Sequence, residues 1–151
     1  MNREQNTDHQ DCKLDGCLFF STTKLARELG RLADDAFYET GLSPSHAVLL
    51  YVVNLRGGIQ QKAIGEMLHL TPSTITRLIE KLERKGLVEK RLEGKNVYLQ
   101  TTSDGLAQQE RIIASWNHLH EEYQNILTKT ETARFLEISQ KLLERLESKT
   151  K

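Results

Sequence analysis

Apolar residues recur at helical spacing along most of this chain, and the sharpest repeat lies in residues 71–86. Four apolar side chains there fall at i, i+3, i+4 and i+7 and form one stripe that must be buried: Ile75, Leu78, Ile79 and Leu82. Thr71 suits the N-cap of a helix, Pro72 suits its first turn, and Gly86 suits the position just beyond its end. The pattern predicts one short helix with a defined beginning and end.

The face opposite this stripe is polar. At about 100° per residue, it carries six side chains: Ser73, Thr76, Arg77, Glu80, Lys81 and Arg84. Small hydroxyl groups followed by cations are the side-chain types that contact bases and phosphates when a helix enters the major groove of DNA. Because most polar helix faces are simply solvated, this face predicts DNA binding only in combination with its flanks.

The segments on either side of the helix supply that combination. Residues 60–70 predict a second short amphipathic helix whose apolar side chains face inward: Ala63, Ile64, Met67 and Leu68. The short connection makes the two helices a helix-turn-helix. Residues 87–91 and 96–100 are rich in branched and aromatic side chains, and the Gly-containing residues 92–95 join them as a β-hairpin. The predicted fold is therefore mainly α with a small β-wing, a winged helix-turn-helix.

Residues 58–105 resemble the DNA-binding core of the MarR family of bacterial transcription regulators. The run LTPSTITRLIEKLERKGLVEKR is similar to the family's recognition helix and first wing strand, and TTSDGLAQ is similar to the exit from the wing into the next helix. With the flanking helices, the resemblance covers roughly residues 17–148. It implies a homodimer that binds a double-stranded DNA operator of pseudo-palindromic sequence, acts as a repressor, and responds to a small amphiphilic or aromatic effector.

The polar face and the resemblance together select the candidate DNA contacts. On the predicted recognition helix they are Thr71, Ser73, Thr74, Thr76, Arg77, Lys81 and Arg84. The family's wing commonly carries an Asp and one or two Arg at its tip, whereas the tip of this wing reads LEGKN. The family's minor-groove Arg is therefore not identifiable in this sequence, and Arg91 and Lys95 are the only candidates to replace it.

The apolar pattern also predicts longer helices outside this core, in residues 17–39, 44–55, 104–127 and 131–147. The expected N-caps of the last three are Ser43, Ser103 and Thr130. The predicted organisation has a flexible arm, a helical dimerisation region in two parts and a winged helix-turn-helix domain: residues 1–16, residues 17–42 with 104–148, and residues 43–103.

The two terminal helices carry more apolar surface than one neighbouring helix needs. In residues 104–127 this surface consists of Ile112, Ile113, Trp116, Leu119, Tyr123, Ile126 and Leu127. In residues 131–147 it consists of Phe135, Ile138, Leu142 and Leu146. An intramolecular core would explain any single residue, but helices outside a compact winged helix have little else to pack against. The whole set predicts a homodimer, as the resemblance also implies.

The chain of 151 residues has no net charge, but its charges are unevenly distributed. Residues 59–95 hold eight Lys and Arg and five Asp and Glu, a net charge of +3, whereas residues 1–58 have −2 and residues 96–151 have −1. The positive excess falls on the predicted winged helix. Because it is modest, we expect binding to depend on a paired site and a good groove fit more than on bulk charge.

Other classes of function find little support. No apolar run approaches the ~18 residues that span a bilayer, and the polar N-terminus lacks the apolar core of a signal peptide. A cytoplasmic location is therefore expected, and the resemblance to the MarR family implies a bacterial or archaeal cell. His118 and His120 point about 200° apart on a helix and cannot chelate one ion together, and the sequence has no nucleophile–base motif. We expect no enzymatic activity, no metal and no cofactor.

Two alternatives to a ligand-gated regulator stay open. The first is a thiol-based peroxide sensor of the same family: with Asp15 as N-cap, Cys17 would lie in the first helical turn, where the helix dipole favours the thiolate, and Cys12 is near enough in sequence to form a disulfide with it. Against this, Asp11 and Asp15 favour a protonated Cys17 that simply packs as a small apolar side chain. The second alternative is a winged helix that docks onto another protein, which would require exposed apolar anchors on the polar face.

Overall fold

The computed structural model describes residues 14–150, which form a mainly helical protein with one small sheet. The helices are α1 (Leu18–Phe37), α2 (Pro44–Leu55), α3 (Gln61–Met67), α4 (Pro72–Arg84), α5 (Ser103–Ala107), α6 (Gln109–Ile126) and α7 (Lys129–Lys149). The strands are β1 (Ile59–Gln60), β2 (Val88–Glu93) and β3 (Asn96–Thr101). Short 3-10 turns occupy Leu14–Gly16 and Tyr38–Thr40. The predicted fold class, mainly α with a small β-wing, is confirmed.

Helix α4 begins and ends where the sequence predicts. The Thr71 side chain accepts a hydrogen bond from the Thr74 backbone N–H, and Pro72 occupies the first helical position. Beyond the last turn, Gly86 has a φ of 69°, which favours glycine, and its N–H donates to the Glu83 carbonyl at 2.8 Å. The next residue, Leu87, donates its N–H to the Leu82 carbonyl at 3.0 Å, which completes a Schellman motif.

The core lies between the C-terminal end of α1, helices α2, α3 and α4, the sheet, and the first half of α6. Each of these contributes fully buried side chains: Phe37, Leu49, Leu50, Val53, Ile64, Ile75, Ile79, Leu82, Leu99 and Ile112. One predicted core residue is wrong, because Met67 is 41% exposed. Helix α3 ends at Met67 and the chain then turns through His69 at a φ of 51°, so that Leu68 and Leu70 pack on the core instead.

The sheet has the order β1-β3-β2 with antiparallel pairing throughout. Strands β2 and β3 form the predicted hairpin, but they extend to the Glu93–Asn96 pair, so the turn is only Gly94 and Lys95. Gly94 has a φ of 60°, which a two-residue hairpin turn requires. Strand β1, in which Ile59 pairs with Leu99, was not predicted. It attaches the wing to the segment just before α3.

Two predicted caps are wrong, and one predicted helix is divided. Thr102, not Ser103, caps the helix after the wing, and that helix is interrupted at Gln108 into α5 and α6. Thr128, not Thr130, caps α7. The Glu131 carboxylate accepts the Thr128 N–H at 2.8 Å, while the Thr128 hydroxyl accepts the Glu131 N–H at 3.2 Å. The carboxylate also accepts the Thr128 hydroxyl at 2.9 Å, and the two bonds that it accepts, led by the one from the Thr128 backbone, lower the pKa of Glu131. The reciprocal bonds between the two residues form a capping box.

The terminal helices leave apolar surface uncovered in the protomer. Helix α7 buries none of its side chains against the described chain, although Phe135 and Leu142 are large apolar residues, 46% and 38% exposed. On α6, Ile113 and Trp116 are each 42% exposed. Water-exposed apolar surface of this extent favours association with another chain. Within residues 14–150, no helix is long and apolar enough to cross a membrane.

Candidate nucleic-acid interface

The polar face of α4 projects into solvent. Ser73, Arg77, Lys81 and Arg84 are all exposed, and none of the three cations has an ion-pair partner in the part of the chain that the structure describes. The apolar side of the same helix is buried through Ile75, Ile79 and Leu82. The helix is therefore anchored on one side and presents unpaired cations on the other.

The start of α4 forms a cluster of hydroxyl groups. The Thr71 Oγ1 lies 2.9 Å from the Thr74 Oγ1 and 3.3 Å from the Ser73 Oγ. Thr74 is half-buried, whereas Thr71 and Ser73 are exposed. The first-turn amides of α4, at the positive end of the helix dipole, lie beside these hydroxyls. This end of the helix can donate hydrogen bonds to an anion or a base edge.

Thr76 has a different role from its neighbours on the helix. Its hydroxyl donates to the Pro72 carbonyl at 2.9 Å and accepts a hydrogen bond from the Gln61 side chain at 3.2 Å, and the residue is half-buried. Gln61 is the first residue of α3. This hydrogen bond joins α3 to α4, a contact that the sequence did not indicate for either residue.

The wing is attached to α4 by an ion pair between β2 and the helix. The Lys90 Nζ lies 2.8 Å from the Glu83 carboxylate. Arg91, the next residue of β2, forms an ion pair with Glu93 at 2.9 Å and lies over the Tyr98 ring at 5.8 Å from its centroid. Arg91 is therefore held along the hairpin, whereas Lys95 is exposed in the turn and has no ion-pair partner within residues 14–150.

The sequence suggested that Cys17 lies in the first turn of α1, but it does not. It is itself the N-cap, because the Leu14–Gly16 turn precedes it and its N–H donates to the Leu14 carbonyl at 3.1 Å; Asp15 is therefore not the cap. The Cys17 side chain is half-buried and makes no capping hydrogen bond. Cys12 lies outside the described residues. Among residues 14–150, no cluster of metal-ligating side chains is present.

A crevice separates α2 from α6. Its volume is about 370 Å³, and its walls include the apolar side chains Val48, Tyr51, Ile113 and Trp116. The Trp116 ring also packs edge-on against Phe37 at 5.8 Å between centroids. A cavity of this size with aromatic walls can hold a small aromatic or amphiphilic molecule.

Comparisons with known proteins agree with this arrangement. Residues 40–96, from the end of the Tyr38–Thr40 turn to the first residue of β3, match the model of the MarR family. The chain is 23% identical over 120 residues to the HTH-type transcriptional repressor MdtR of Bacillus subtilis (strain 168), covering 78% of this chain and 77% of the relative.

Solved structures show the same fold over most of the chain. The MepR–DNA complex of S. aureus aligns with a TM-score of 0.77 at 18% identity, covering 86% of this chain and 98% of that one. The PcaV transcriptional regulator of Streptomyces coelicolor, in complex with its natural ligand, aligns with a TM-score of 0.78 at 23% identity, covering 87% and 94%. The match extends beyond the winged helix to the flanking helices.

Proposed function

Because residues 40–96 match the model of the MarR family, we propose that this chain is a MarR-family transcriptional regulator that binds double-stranded DNA sequence-specifically and acts as a repressor. The observation that carries this proposal is the exposed face of α4, on which Arg77, Lys81 and Arg84 have no ion-pair partner in the described chain. Cations left unpaired on a helix are suited to phosphates and to the base edges of guanine. The protein is a regulator and not an enzyme.

The proposed active form is a homodimer. The apolar faces of α7 and α6 are covered by a second copy, and the first and last helices form the dimerisation region. A two-fold axis then places two copies of α4 in successive major grooves on one face of the duplex, which requires a pseudo-palindromic site with half-sites about 10 bp apart or a multiple of that. This division into a dimerisation region and a winged-helix domain is part of the proposal.

The signal to which the regulator responds is proposed to be a small aromatic or amphiphilic molecule. The crevice between α2 and α6 supports this, since Tyr51 and Trp116 line it and it lies between the proposed dimer helices and the winged helix. The relative PcaV was solved with its natural ligand. A cytoplasmic location in a bacterial or archaeal cell completes the proposal.

Selection of bound duplexes from a random pool tests the function directly. Two substitutions test whether the polar face of α4 contacts DNA. We expect Arg77→Ala to cost about 1–3 kcal/mol of binding free energy and to relax preference at one position of each half-site, because arginine reads guanine through two hydrogen bonds. Lys81→Ala should weaken binding to all sequences by a similar factor and make the affinity depend less steeply on salt concentration. Fluorescence anisotropy on the selected site and its point variants measures both. If the two variants bind as the parent does, α4 does not present this face to DNA.

The wing is expected to add affinity more than sequence preference. Arg91 is engaged with Glu93 and Tyr98, and Lys95 is a flexible point charge suited to phosphate. Lys95→Ala should therefore weaken binding by a similar factor on every sequence, reducing the salt slope by about one per protomer. The same titrations measure it, with Lys141→Gln on α7 as a control for the lost charge. A changed base preference at the outer edges of the site would instead show that Lys95 reads the minor groove.

A further inference from the structure

The helix that follows the wing is interrupted at Gln108, where the winged helix meets the helices proposed for dimerisation. Gln108 ends α5 and directly precedes Gln109, the first residue of α6. Before this break, α5 is attached to the winged helix, because its N-cap Thr102 donates its hydroxyl to the Gly86 carbonyl at 2.6 Å. After it, α6 runs for 18 residues. The break is thus the point of the chain at which the direction of α6 relative to the winged helix can change.

One side chain of α2 is bonded to both sides of the break. The Asn54 Nδ2 donates to the Gly105 carbonyl of α5 at 3.0 Å and to the Gln109 Oε1 of α6 at 2.8 Å. The orientation of this amide follows from its partner, since a backbone carbonyl only accepts hydrogen bonds and must face the NH2 group. Asn54 is half-buried in the last turn of α2. It therefore joins α2, α5 and α6 at a single point.

The apolar contacts of α6 do not fix its direction in the same way. Ile112 and Leu119 are buried and hold α6 on the core, but the burial of apolar surface has no preferred direction. One turn earlier in α2, the two helices part to form the crevice lined by Tyr51 and Trp116. Hydrogen bonds, by contrast, weaken steeply when their angle changes. In the described part of the chain, the bonds of Asn54 are therefore the directional part of the contact between α2 and α6.

A small change of direction at the break is amplified along α6. The helix has 18 residues, and at about 1.5 Å per residue it is about 27 Å long. A rotation of about 7° at the break therefore moves the far end of α6 by about 3 Å, close to the rise of one base pair of DNA. Because α6 belongs to the proposed dimerisation region, the same rotation changes the distance between the two copies of α4 in a dimer.

We propose that Asn54 is a positioning residue that sets the spacing between the two half-sites that the dimer recognises. It acts through α6, by holding that helix in one direction relative to α5 and the recognition helix. The proposal rests on the proposed function, since it needs a dimer with one α4 in each half-site. It assigns spacing specificity to two hydrogen bonds that lie outside both the DNA-contacting face and the apolar dimer surface.

The test compares the selected operator with two altered sites that have one base pair added or removed between the half-sites. Each alteration moves one half-site by about 3.4 Å and turns it by about 35° around the duplex. The parent should bind both altered sites about 100-fold more weakly, because only one copy of α4 can then engage. Asn54→Ala should reduce this spacing penalty to about tenfold or less, because a less constrained α6 lets both copies engage. Fluorescence anisotropy at constant salt concentration measures each affinity.

A second variant and a control separate positioning from stability. Asn54→Leu fills nearly the same space without a donor. It also removes a buried Oδ1 that accepts no hydrogen bond from the residues that the structure describes, so stability should change little. The Gly105 carbonyl keeps a donor in both variants, since it also accepts the Gln108 N–H at 3.2 Å. Asn54→Leu should therefore lower the spacing penalty as Asn54→Ala does. Gln61→Ala removes a hydrogen bond between α3 and α4, within the winged helix, and should keep the penalty of the parent. Thermal melts establish that each variant is folded.

The outcomes separate this proposal from the function on which it rests. If both Asn54 variants keep the spacing penalty, or lose affinity equally for all three sites, Asn54 has only a structural role and the proposal is wrong, while sequence-specific binding by the parent still stands. A parent that binds all three sites equally would overturn it as well. If the Asn54 variants sediment as monomers, the residue acts on dimer formation and not on spacing. If the parent selects no sequence at all, the proposed function fails first.

Discussion

Replacing Gly105 by alanine is expected to destabilise the protein severely, by about 3 kcal/mol or more. A Cβ at this position would lie 2.0 Å from the Leu87 carbonyl oxygen and 2.6 Å from the Thr101 Oγ1. Because the first of these is a backbone atom, a side-chain rotation cannot relieve the clash, and α5 would have to move off the turn that follows α4.

That movement would break several contacts at once. Thr102 donates its hydroxyl to the Gly86 carbonyl at 2.6 Å and its N–H to the Leu87 carbonyl at 3.2 Å. The Gly105 carbonyl accepts a hydrogen bond at 3.0 Å from the Asn54 side chain of α2. Residue 105 therefore lies where the end of α4, the base of the wing and α2 all meet, and the substitution should loosen the recognition helix as well as the fold.

A thermal melt followed by circular dichroism measures the effect. For a chain of this length, the expected loss lowers the melting temperature by roughly 6–12 °C. Gly30→Ala in α1 is the matched control, because nothing lies within 4 Å of its added Cβ. Alanine in a helix interior should there be neutral or stabilising by about 0.5–1 kcal/mol. Equal melting temperatures for Gly105→Ala and the parent would mean that α5 does not approach Leu87 so closely in solution.

The parts of the fold that depend on local sequence were predictable. Helix α4 carries its apolar stripe, its cap at Thr71 and its stop at Gly86 within about four turns of chain, so its bounds follow from the pattern alone. The hairpin was predictable for the same reason, since Gly94 lies between two strand-forming segments. The capping box that begins α7 is also a local sequence pattern, a Thr with a Glu three residues later. The sequence analysis nevertheless predicted a different cap for this helix.

The parts that depend on tertiary contact were not predictable. Strand β1 is two residues long and exists only because Ile59 and Gln60 pair with β3. Thr102 and Ser103 are equally good caps by type, and the choice between them follows from the contact of Thr102 with Gly86. A two-residue strand and a choice between neighbouring hydroxyls leave no periodic signal in the sequence.

The same distinction applies to the candidate site. The exposed positions Ser73, Arg77 and Lys81 follow from the helical wheel of one segment. The engagement of Thr76 by Gln61 does not, because it needs the angle between α3 and α4. A set of contacts drawn from one helix therefore omits the groups that other helices contribute.

Disruption of the apolar face of α7 is expected to abolish tight DNA binding without touching the winged helix. The double substitution Ile138→Glu with Leu142→Glu places two carboxylates on a stripe that is 53% and 38% exposed at these positions in the protomer. Since α7 buries no side chain against the described chain, the protomer core should stay intact. In a two-fold interface each substitution occurs twice, and burying an unpaired carboxylate costs several kcal/mol.

At micromolar concentration the parent should sediment at twice the chain mass of 17.3 kDa and the double variant at that mass alone. In a dimer, binding of one α4 to its half-site holds the second α4 at a high effective concentration near the other half-site. A single protomer lacks this advantage, so operator affinity should fall by about 100-fold or more. Lys141→Gln, on the polar side of the same helix, changes the charge by the same amount per site and should leave both measurements unchanged. A double variant that stays dimeric would place the two-fold contact elsewhere. A double variant that becomes monomeric yet binds the operator as the parent does would show that one copy of α4 suffices, and the expectation of a pseudo-palindromic site would then be wrong.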